Sequence, residues 1–277
     1  MHTKTAIEKV TILGRGKVGH GLLRALKDGP FEVRLVSGRT ARLKQVQEKE
    51  VVVLAVPDHC IAEVSDRLSA VIVKGAVILH CAGARDASEL RSCAETGGEV
   101  GSMHPLASFA SSRRPPDLRK AAFVISGSRK ARSTAKTLAT TAGANPVIWS
   151  VRGAAYHGSA TLVANGAAAL AGASIQICEK LGMKRRDAER AIGALLCTVG
   201  QNIAELGMPR ALTGPIARGD APTALAHRKA LQLEDPPGLD VYDRIAPVIL
   251  ASAMQAGLSP EQAASIRKAL RARLQRS

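Results

Sequence analysis

The stretch KVTILGRGKVGHGLLRAL, residues 9–26, decides the fold of this chain. Its first five residues form a short β-branched and aliphatic run, which is typical of a strand, and its last residues place apolar side chains at helical spacing. Between the two lies a GxGxxG motif, Gly14 to Gly19. A lone GxGxxG is weak evidence, but a strand before it and a helix after it form the context in which the motif holds a dinucleotide.

The glycines of this motif have separate expected roles. Gly14 makes the tight turn, Gly16 lets a pyrophosphate approach the backbone, and Gly19 lets helix and strand pack closely. The N-terminus of the helix then offers free N–H groups and a positive dipole end to the phosphates. The alternative is a glycine-rich turn without a ligand. The predicted pyrophosphate-binding residues are Gly14, Arg15, Gly16, Lys17, Val18 and Gly19.

The second strand, in FEVRLVSGRT (residues 31–40), ends without an acidic residue. An Asp or Glu there would accept the ribose hydroxyls of NAD and would repel a 2′-phosphate. Ser37, Gly38, Arg39 and Thr40 stand there instead, and an arginine can form a forked, charge-assisted contact with a phosphate. We therefore predict NADP(H) as the cofactor; the alternative is that Arg39 is one more surface arginine in a basic chain.

Short apolar runs alternate with helical patterns as far as Trp149, which indicates a mostly parallel sheet covered by helices on both faces. These runs are KVTIL, FEVRLV, VVVLAV, AVILH, EVGSM, AAFVIS and NPVIW. Ligands of such sheets bind beyond the carboxyl ends of the strands. We expect Ala55, Val56 and Pro57 beside the adenosine ribose and pyrophosphate, and Cys81 and Ala82 near the nicotinamide. His80 and His104 fall on the same edge, and for His80 we favour a structural role.

After Trp149 the strand patterns end, and alanine and glycine dominate. The sequence therefore predicts an α/β fold in which a Rossmann-type domain (residues 1–150) precedes an all-helical domain (residues 151–277). The stretch 154–178 has no formally charged residue except His157 and is long enough to cross a bilayer. Its Ala, Gly, Ser, Thr and Asn favour insertion little, so we expect a helix buried on all sides in a soluble protein, and no membrane partner. A position at a homodimer interface is the alternative.

Composition narrows the classes of partner. The formal net charge of +16 invites a nucleic-acid interpretation, but the basic residues are scattered and aromatic residues are only 2%. A platform for base stacking is therefore poorly supplied, and we interpret the charge as solvated surface that attracts small anions. The five cysteines have neither paired nor metal-ligand spacing. This pattern is typical of reduced thiols in the cytoplasm and predicts no metal site.

Several motifs together resemble a known family: ILGRGKVG, VVLAVPD, ILHCAGA, GSMHPLASF, YHGSATLVAN and ALTGPIARGD. Over nearly its whole length the chain resembles the Rossmann-like proteins with a C-terminal helical domain of unknown function, which are related to the deazaflavin-dependent NADP oxidoreductases. It is more distantly similar to ketopantoate reductase, pyrroline-5-carboxylate reductase and prephenate dehydrogenase. The resemblance implies hydride transfer to or from a small substrate held between the two domains, and it identifies no particular substrate.

One departure from these relatives concerns the catalytic acid. Ketopantoate reductases and β-hydroxyacid dehydrogenases carry a lysine one helical turn before an asparagine on the long helix. Asn165 matches the asparagine, but Thr161 stands at the lysine position, and no lysine occurs between Lys136 and Lys180. Two hypotheses therefore stay open: an NADPH-dependent oxidoreductase, and an NADP(H)-binding sensor or scaffold without turnover.

The candidate catalytic residues are His157, Asn165 and His104. The imidazole of either histidine titrates near neutral pH and can donate a proton to a developing charge. The segment LTGPIARGD offers Thr213, Arg218 and Asp220 as candidate substrate-binding residues, with Arg218 suited to a carboxylate. The alternative for Asp220 is the N-cap of a helix that starts near Pro222. The predicted reaction is hydride transfer to or from a small, anionic carbonyl or imine compound in the interdomain cleft.

Overall fold

The structure, a computed structural model, describes residues 7–38, 46–47, 49–150 and 153–274. Arg39 and Thr40, both predicted to bind the cofactor, lie outside the described residues. The chain divides into two compact units, residues 1–161 and 162–277. Each unit has a core of its own.

The first unit contains a seven-stranded sheet with the strand order β2-β1-β3-β4-β5-β6-β7. Neighbouring strands are parallel except β5 and β6, which are antiparallel. The strands are β1 (Lys9–Leu13), β2 (Glu32–Val36), β3 (Glu50–Leu54), β4 (Val77–His80), β5 (Glu99–Leu106), β6 (Ala122–Gly127) and β7 (Asn145–Ile148). Each strand coincides with one of the apolar runs in the sequence, and the predicted Rossmann-type fold is confirmed.

Helices cover both faces of this sheet, as β3 illustrates. Val51 and Val53 point into the core shared with α1 (Lys17–Leu26) and α4 (Arg129–Thr141). Val52 and Leu54 point into the opposite core, shared with α2 (Ile61–Ser69) and α3 (Arg91–Glu95). Because successive side chains of a strand point to opposite faces, a continuous valine run serves both cores. Because β1, β3, β4 and β5 are parallel, their carboxyl ends lie at the same edge of the sheet.

The second unit is helical, and three of its helices enclose its core. The helices are α5 (Gly153–Lys180, which begins in the first unit), α6 (Arg185–Leu206), α7 (Ala221–Glu234), α8 (Pro236–Gln255) and α9 (Pro260–Arg271). Ala224 of α7, Leu250 of α8 and Ile266 of α9 meet in that core. The guanidinium of Arg228, in α7, ties these helices together. It forms a fork to the carboxylate of Asp243 in α8 at 2.7 and 2.9 Å and donates to the carbonyl oxygen of Ala269 in α9 at 3.0 Å.

The long helix α5 differs from the helix that the sequence predicted. No described residue of α5 is buried, so the expectation of a helix buried on all sides is wrong for the single chain. Leu162 and Val163 are 76% and 70% exposed. The core of the second unit forms among α7, α8 and α9, and no described residue of α5 belongs to it. By length and composition, α5 is the one helix of the described chain that could cross a membrane.

Candidate functional site

The turn between β1 and α1 depends on contacts that only glycine allows. Gly14 has a φ of +125°, and a Cβ there would lie 2.2 Å from the carbonyl oxygen of Ala55. A Cβ on Gly19 would lie 1.9 Å from the carbonyl oxygen of Gly14. The turn is therefore pressed against the end of β3, and α1 is pressed against the turn. Any side chain at either position would force these backbones apart.

This turn stands where the topology of the sheet reverses. β2 lies on one side of β1 and β3 on the other, so the connections that leave β1 and β2 run in opposite directions. The order 2-1-3-4-5 is the flavodoxin-like one, and in such sheets ligands bind in the crevice at the switch point between β1 and β3. Gly14 and Ala55 line that crevice. The topology and the glycine motif therefore indicate the same place.

The N-terminus of α1 is open to a phosphate. Gly16 is its N-cap residue, and apart from its own atoms and its two chain neighbours no heavy atom lies within 4 Å of the place where a Cβ would stand. The first N–H groups of a helix have no intrahelical acceptor and carry partial positive charge. Arg15 and Lys17 flank Gly16 and are exposed, whereas Val18 is half-buried. This arrangement can bind the diphosphate of a nucleotide.

The end of β2 reaches the same crevice. A Cβ on Gly38 would lie 2.6 Å from Cγ1 of Val56, so the chain after β2 packs directly on the chain after β3. Nη1 of Arg67 donates a hydrogen bond to the carbonyl oxygen of Gly38 at 3.2 Å. No sequence motif marks Arg67, which lies in the last turn of α2. A guanidinium nevertheless stands beside Ser37 and Gly38, where a ribose phosphate was predicted.

The residues after β4 form a tight turn held by His80. This buried imidazole donates from Nε2 to the carbonyl oxygen of Asp86 at 2.8 Å, and its Nδ1 accepts from the N–H of Ala82 at 3.2 Å. Both ring nitrogens are thereby satisfied, as expected of a structural histidine. Burial raises the pKa of the Cys81 thiol to about 12, so Cys81 is neutral at physiological pH. Cys81 and Ala82 thus present neutral groups at the carboxyl edge of the sheet.

Three side chains gather beside this turn. The Nδ1 atom of His104, in β5, lies 2.8 Å from the hydroxyl oxygen of Tyr156, in the first turn of α5. The ring centroids of His104 and His157 are 6.1 Å apart. A Cβ on Gly83 would lie 2.7 Å from Nε2 of His104 and 2.8 Å from Cδ2 of His157. Both imidazoles therefore stand against bare backbone, and Gly83 makes that approach sterically allowed.

His104 is neutral at physiological pH. Burial, followed by the nearby charge of His157, lowers the pKa of His104 to about 4 from an ordinary value of 6.5. A neutral imidazole has one N–H and one lone pair, so it can orient a hydroxyl group but is a weak acid. The structure therefore favours His104 as a hydrogen-bonding group over His104 as a protonated acid.

The other candidates lie in the second unit. Asn165 is exposed on α5, and Thr213 and Arg218 are exposed in the segment before α7. Asp220 is the N-cap of α7: its carboxylate accepts from the N–H of Thr223 at 3.0 Å and from the Thr223 hydroxyl at 2.7 Å. The capping role considered for Asp220 is therefore present, and its contact with a substrate stays a prediction.

Comparisons with known proteins agree with this fold. Residues 121–249 match the model of the family described as a domain of unknown function, DUF2520. This match, together with the Rossmann-like neighbours below, confirms the resemblance stated from the sequence. No curated protein matches the sequence.

Solved structures with the same fold cover most of the chain. Protein TM1727 from Thermotoga maritima has a TM-score of 0.62 and 23% identity, over 89% of this chain and 99% of that one. BF3122 from Bacteroides fragilis, named provisionally as an NADP oxidoreductase, has a TM-score of 0.67 and 17% identity, over 90% and 100% of the two chains. The imine reductase of Streptomyces aurantiacus has a TM-score of 0.57 and 18% identity, over 91% and 100%. At these identities the likeness shows the fold.

Proposed function

We propose that the protein is an NADP(H)-dependent oxidoreductase that transfers a hydride to or from a small, anionic carbonyl or imine compound. The observation that carries the proposal is the contact of Gly14 with Ala55 at the switch point, beside the open N-terminus of α1. This crevice has the backbone donors and the position that a dinucleotide needs. The names of the neighbours from B. fragilis and S. aurantiacus support the same class of reaction.

The groups after β2 support NADP(H) over NAD(H). Ser37 and Gly38 carry no charge, and the guanidinium of Arg67 is bonded to the carbonyl of Gly38. Arg39 follows at once in the sequence. A 2′-phosphate would gain charge-assisted hydrogen bonds from such arginines, whereas the plain ribose of NAD would find no carboxylate to accept its hydroxyl protons.

The catalytic end of the proposed site lies along the same edge of the sheet. Neighbouring strands are about 4.8 Å apart, so β4 is about 10 Å and β5 about 14 Å from β1. His104, at the end of β5, and His157 thus stand along the direction in which a dinucleotide bound at Gly16 would extend its nicotinamide. Roles for Asn165, Thr213 and Arg218, and a substrate cleft between the domains, stay predictions.

Calorimetry with purified protein tests the cofactor assignment. We expect NADPH to bind at least about tenfold more tightly than NADH, and Arg39→Ala to remove that preference, which corresponds to about 1.4 kcal/mol. Arg34→Ala is the matched control, because Arg34 lies on β2, is exposed and pairs with Glu32. Equal affinities for the two dinucleotides would refute the 2′-phosphate assignment, and no binding of either would refute the proposed function.

Turnover separates an enzyme from a sensor that only binds the cofactor. The loss of NADPH absorbance is followed with a panel of 2-oxo acids and cyclic imines. We expect saturable oxidation with at least one member of the panel. Tight NADPH binding without oxidation across the panel would favour the sensor hypothesis.

We also propose that the protein is a homodimer whose interface includes α5 and α6. Leu195, Val199, Ile203 and Leu206 are spaced by three or four residues, so they form one ridge along α6, and each is 42–58% exposed. A ridge with this spacing fits the groove of another helix, and contiguous exposed apolar surface marks an interface. The uncharged part of α6, residues 191–204, is shorter than the about 20 residues that span a bilayer. A second copy of the chain is therefore the occupant that we propose.

A further inference from the structure

Tyr156 carries chemistry that the sequence did not reveal. Its hydroxyl lies 2.8 Å from Nδ1 of His104, and its ring packs edge-on against two other rings. The centroid of Trp149 is 5.3 Å from that of Tyr156 at an interplanar angle of 70°, and the centroid of His104 is 5.6 Å away at 88°. Tyr156 is only half-buried, so it is fixed on two sides and still reaches the surface. A phenol held in this way can meet a ligand at a defined point.

The contact with His104 orients the hydroxyl. If Nδ1 of His104 carries the ring proton, it donates to the oxygen of Tyr156 and leaves the O–H of the phenol free to point away. The same bond would stabilise a phenolate once the phenol had lost its proton, because hydrogen bonds to an ion are stronger than those to a neutral group. Burial raises the pKa of Tyr156 above 10, so the group still holds its proton at neutral pH.

We propose that the Tyr156 hydroxyl is the proton donor of the reduction and that His104 is the positioning residue that holds it. This inference rests on the proposed function. Bound NADPH would supply a hydride, with its two electrons, to form a C–H bond at the substrate carbon. The π electrons of C=O or C=N move to the heteroatom, which takes the proton of Tyr156. The phenolate, held by Nδ1–H of His104, then regains a proton from water, so the sum is substrate plus NADPH plus one proton giving reduced substrate plus NADP⁺.

His157 is the competing donor, but its geometry is less specific. His157 is exposed, and its imidazole reaches the site where it lies against Gly83. The hydroxyl of Tyr156, by contrast, has a fixed partner in β5, a strand whose end lies at the ligand-binding edge. The two residues are adjacent on α5, so variants of each distinguish them directly.

The chain offers a close control for this test. It contains two tyrosines, and Tyr242 also pairs with a histidine: its hydroxyl lies 3.4 Å from Nδ1 of His227, with ring centroids 5.9 Å apart at 87°. Tyr242 is in α8 of the second unit. The Tyr242→Phe protein therefore keeps Tyr156 as its single tyrosine, and the phenolate absorbance of that protein reports on Tyr156 alone.

The experiment measures the pKa of Tyr156 with each cofactor form bound. In Tyr242→Phe protein, phenolate absorbance is recorded by rapid mixing over a range of pH, with circular dichroism showing that the fold persists. NADP⁺ and NADPH differ at the ring by one positive charge, so NADP⁺ should lower the pKa of Tyr156 relative to NADPH by about one unit or more. His104→Leu should raise the pKa of Tyr156, whereas His104→Asn, whose amide nitrogen can replace Nδ1, should keep it near the original value.

Three outcomes would overturn the inference. The same Tyr156 pKa in the NADP⁺ and NADPH complexes would place the nicotinamide away from Tyr156 and leave the proposed function intact. If neither NADP⁺ nor NADPH bound, the inference and the proposed function would both be refuted. With any substrate found in the panel, Tyr156→Phe should lower kcat at least about 100-fold with an unchanged Kd for NADPH, and Tyr242→Phe should not. A larger loss in His157→Ala than in Tyr156→Phe would assign the proton to His157.

Discussion

The carbonyl oxygen of Ala55 occupies the space in which a side chain on Gly14 would stand, 2.2 Å from the place of its Cβ. The chain between these two residues includes α1, β2 and β3, and their contact brings the ends of β1 and β3 together at the switch point of the sheet. The proposed cofactor crevice exists because Gly14 permits this contact. Its neighbour Gly16 has free space around it, so the two glycines of one motif predict opposite responses to substitution.

Gly14→Ala is expected to destabilise the fold. The methyl group would clash with Ala55, and a φ of +125° is strained for any residue with a Cβ, so the free energy of unfolding should fall by about 3 kcal/mol or more. Urea denaturation followed by circular dichroism measures this change. A midpoint equal to that of the wild type would contradict the close contact.

Gly16→Ala should leave stability unchanged and weaken the cofactor. Its backbone angles, φ −80° and ψ −173°, suit any residue, and the added methyl would meet no atom of the protein. It would stand where the pyrophosphate is proposed to approach, so the Kd for NADPH should rise about tenfold or more, or about 1.4 kcal/mol. Calorimetry beside the urea midpoint gives both quantities, and undiminished NADPH affinity would argue against a phosphate at this turn.

Stability should fall on acidification through the range in which unfolded histidine takes up a proton. The pKa of His104 is about 4 in the folded protein and 6.5 ordinarily, and burial also lowers the pKa of His80. Between these values the unfolded chain binds more protons than the folded one, so the stabilisation is complete above about pH 6.5 and is lost as pH falls towards 4.

The share of His104 in this loss is measurable. Each proton that only the unfolded chain binds lowers the free energy of unfolding by at most about 1.4 kcal/mol per pH unit of acidification. Urea midpoints at several pH values should show a shallower slope in His104→Asn than in the wild type, with His80 responsible for part of the remainder. Identical slopes in the two proteins would mean that His104 titrates normally.

Disruption of the ridge on α6 should release monomers. The double variant Leu195→Glu, Val199→Glu places two charges on the exposed apolar ridge and should shift the protein from twice the chain mass of 28.9 kDa to the single chain mass. The matched control is Cys197→Glu, Gln201→Glu, since these exposed residues lie on the opposite side of the helix at 100° per residue. Sedimentation velocity measures the mass of each.

Other results of that measurement would reject the homodimer. A wild-type protein that sediments as a monomer would show that no second copy of the chain covers the ridge on α6. Recovery of the protein only with membranes or detergent would instead assign the exposed surface of α5 to a lipid bilayer, which its length and composition allow. A control variant that dissociates as fully as the ridge variant would show that the opposite face of α6 also carries the interface.

Much of the fold and half of the candidate site follow from local patterns. Strand and helix periodicities placed all seven strands, and the glycine motif placed the turn after β1. Side-chain contacts across the chain did not follow in this way. The hydrogen bond of Tyr156 to His104 joins residues 52 apart, and Arg67 reaches Gly38 across 29 residues. No spacing rule links such residues, because their meeting depends on how separate strands and helices pack.

The sequence by itself determined that a strand, a glycine turn and a helix would follow one another, because sterics at Gly14 and Gly19 and the two periodicities of backbone structure act over a few residues. Only the tertiary structure decided which side chains share the carboxyl edge of the sheet and that no described residue of α5 is buried. Burial is a property of what surrounds a helix: no described apolar residue of α5 is buried, and Leu162 and Val163 are exposed, because α7, α8 and α9 enclose a core without them.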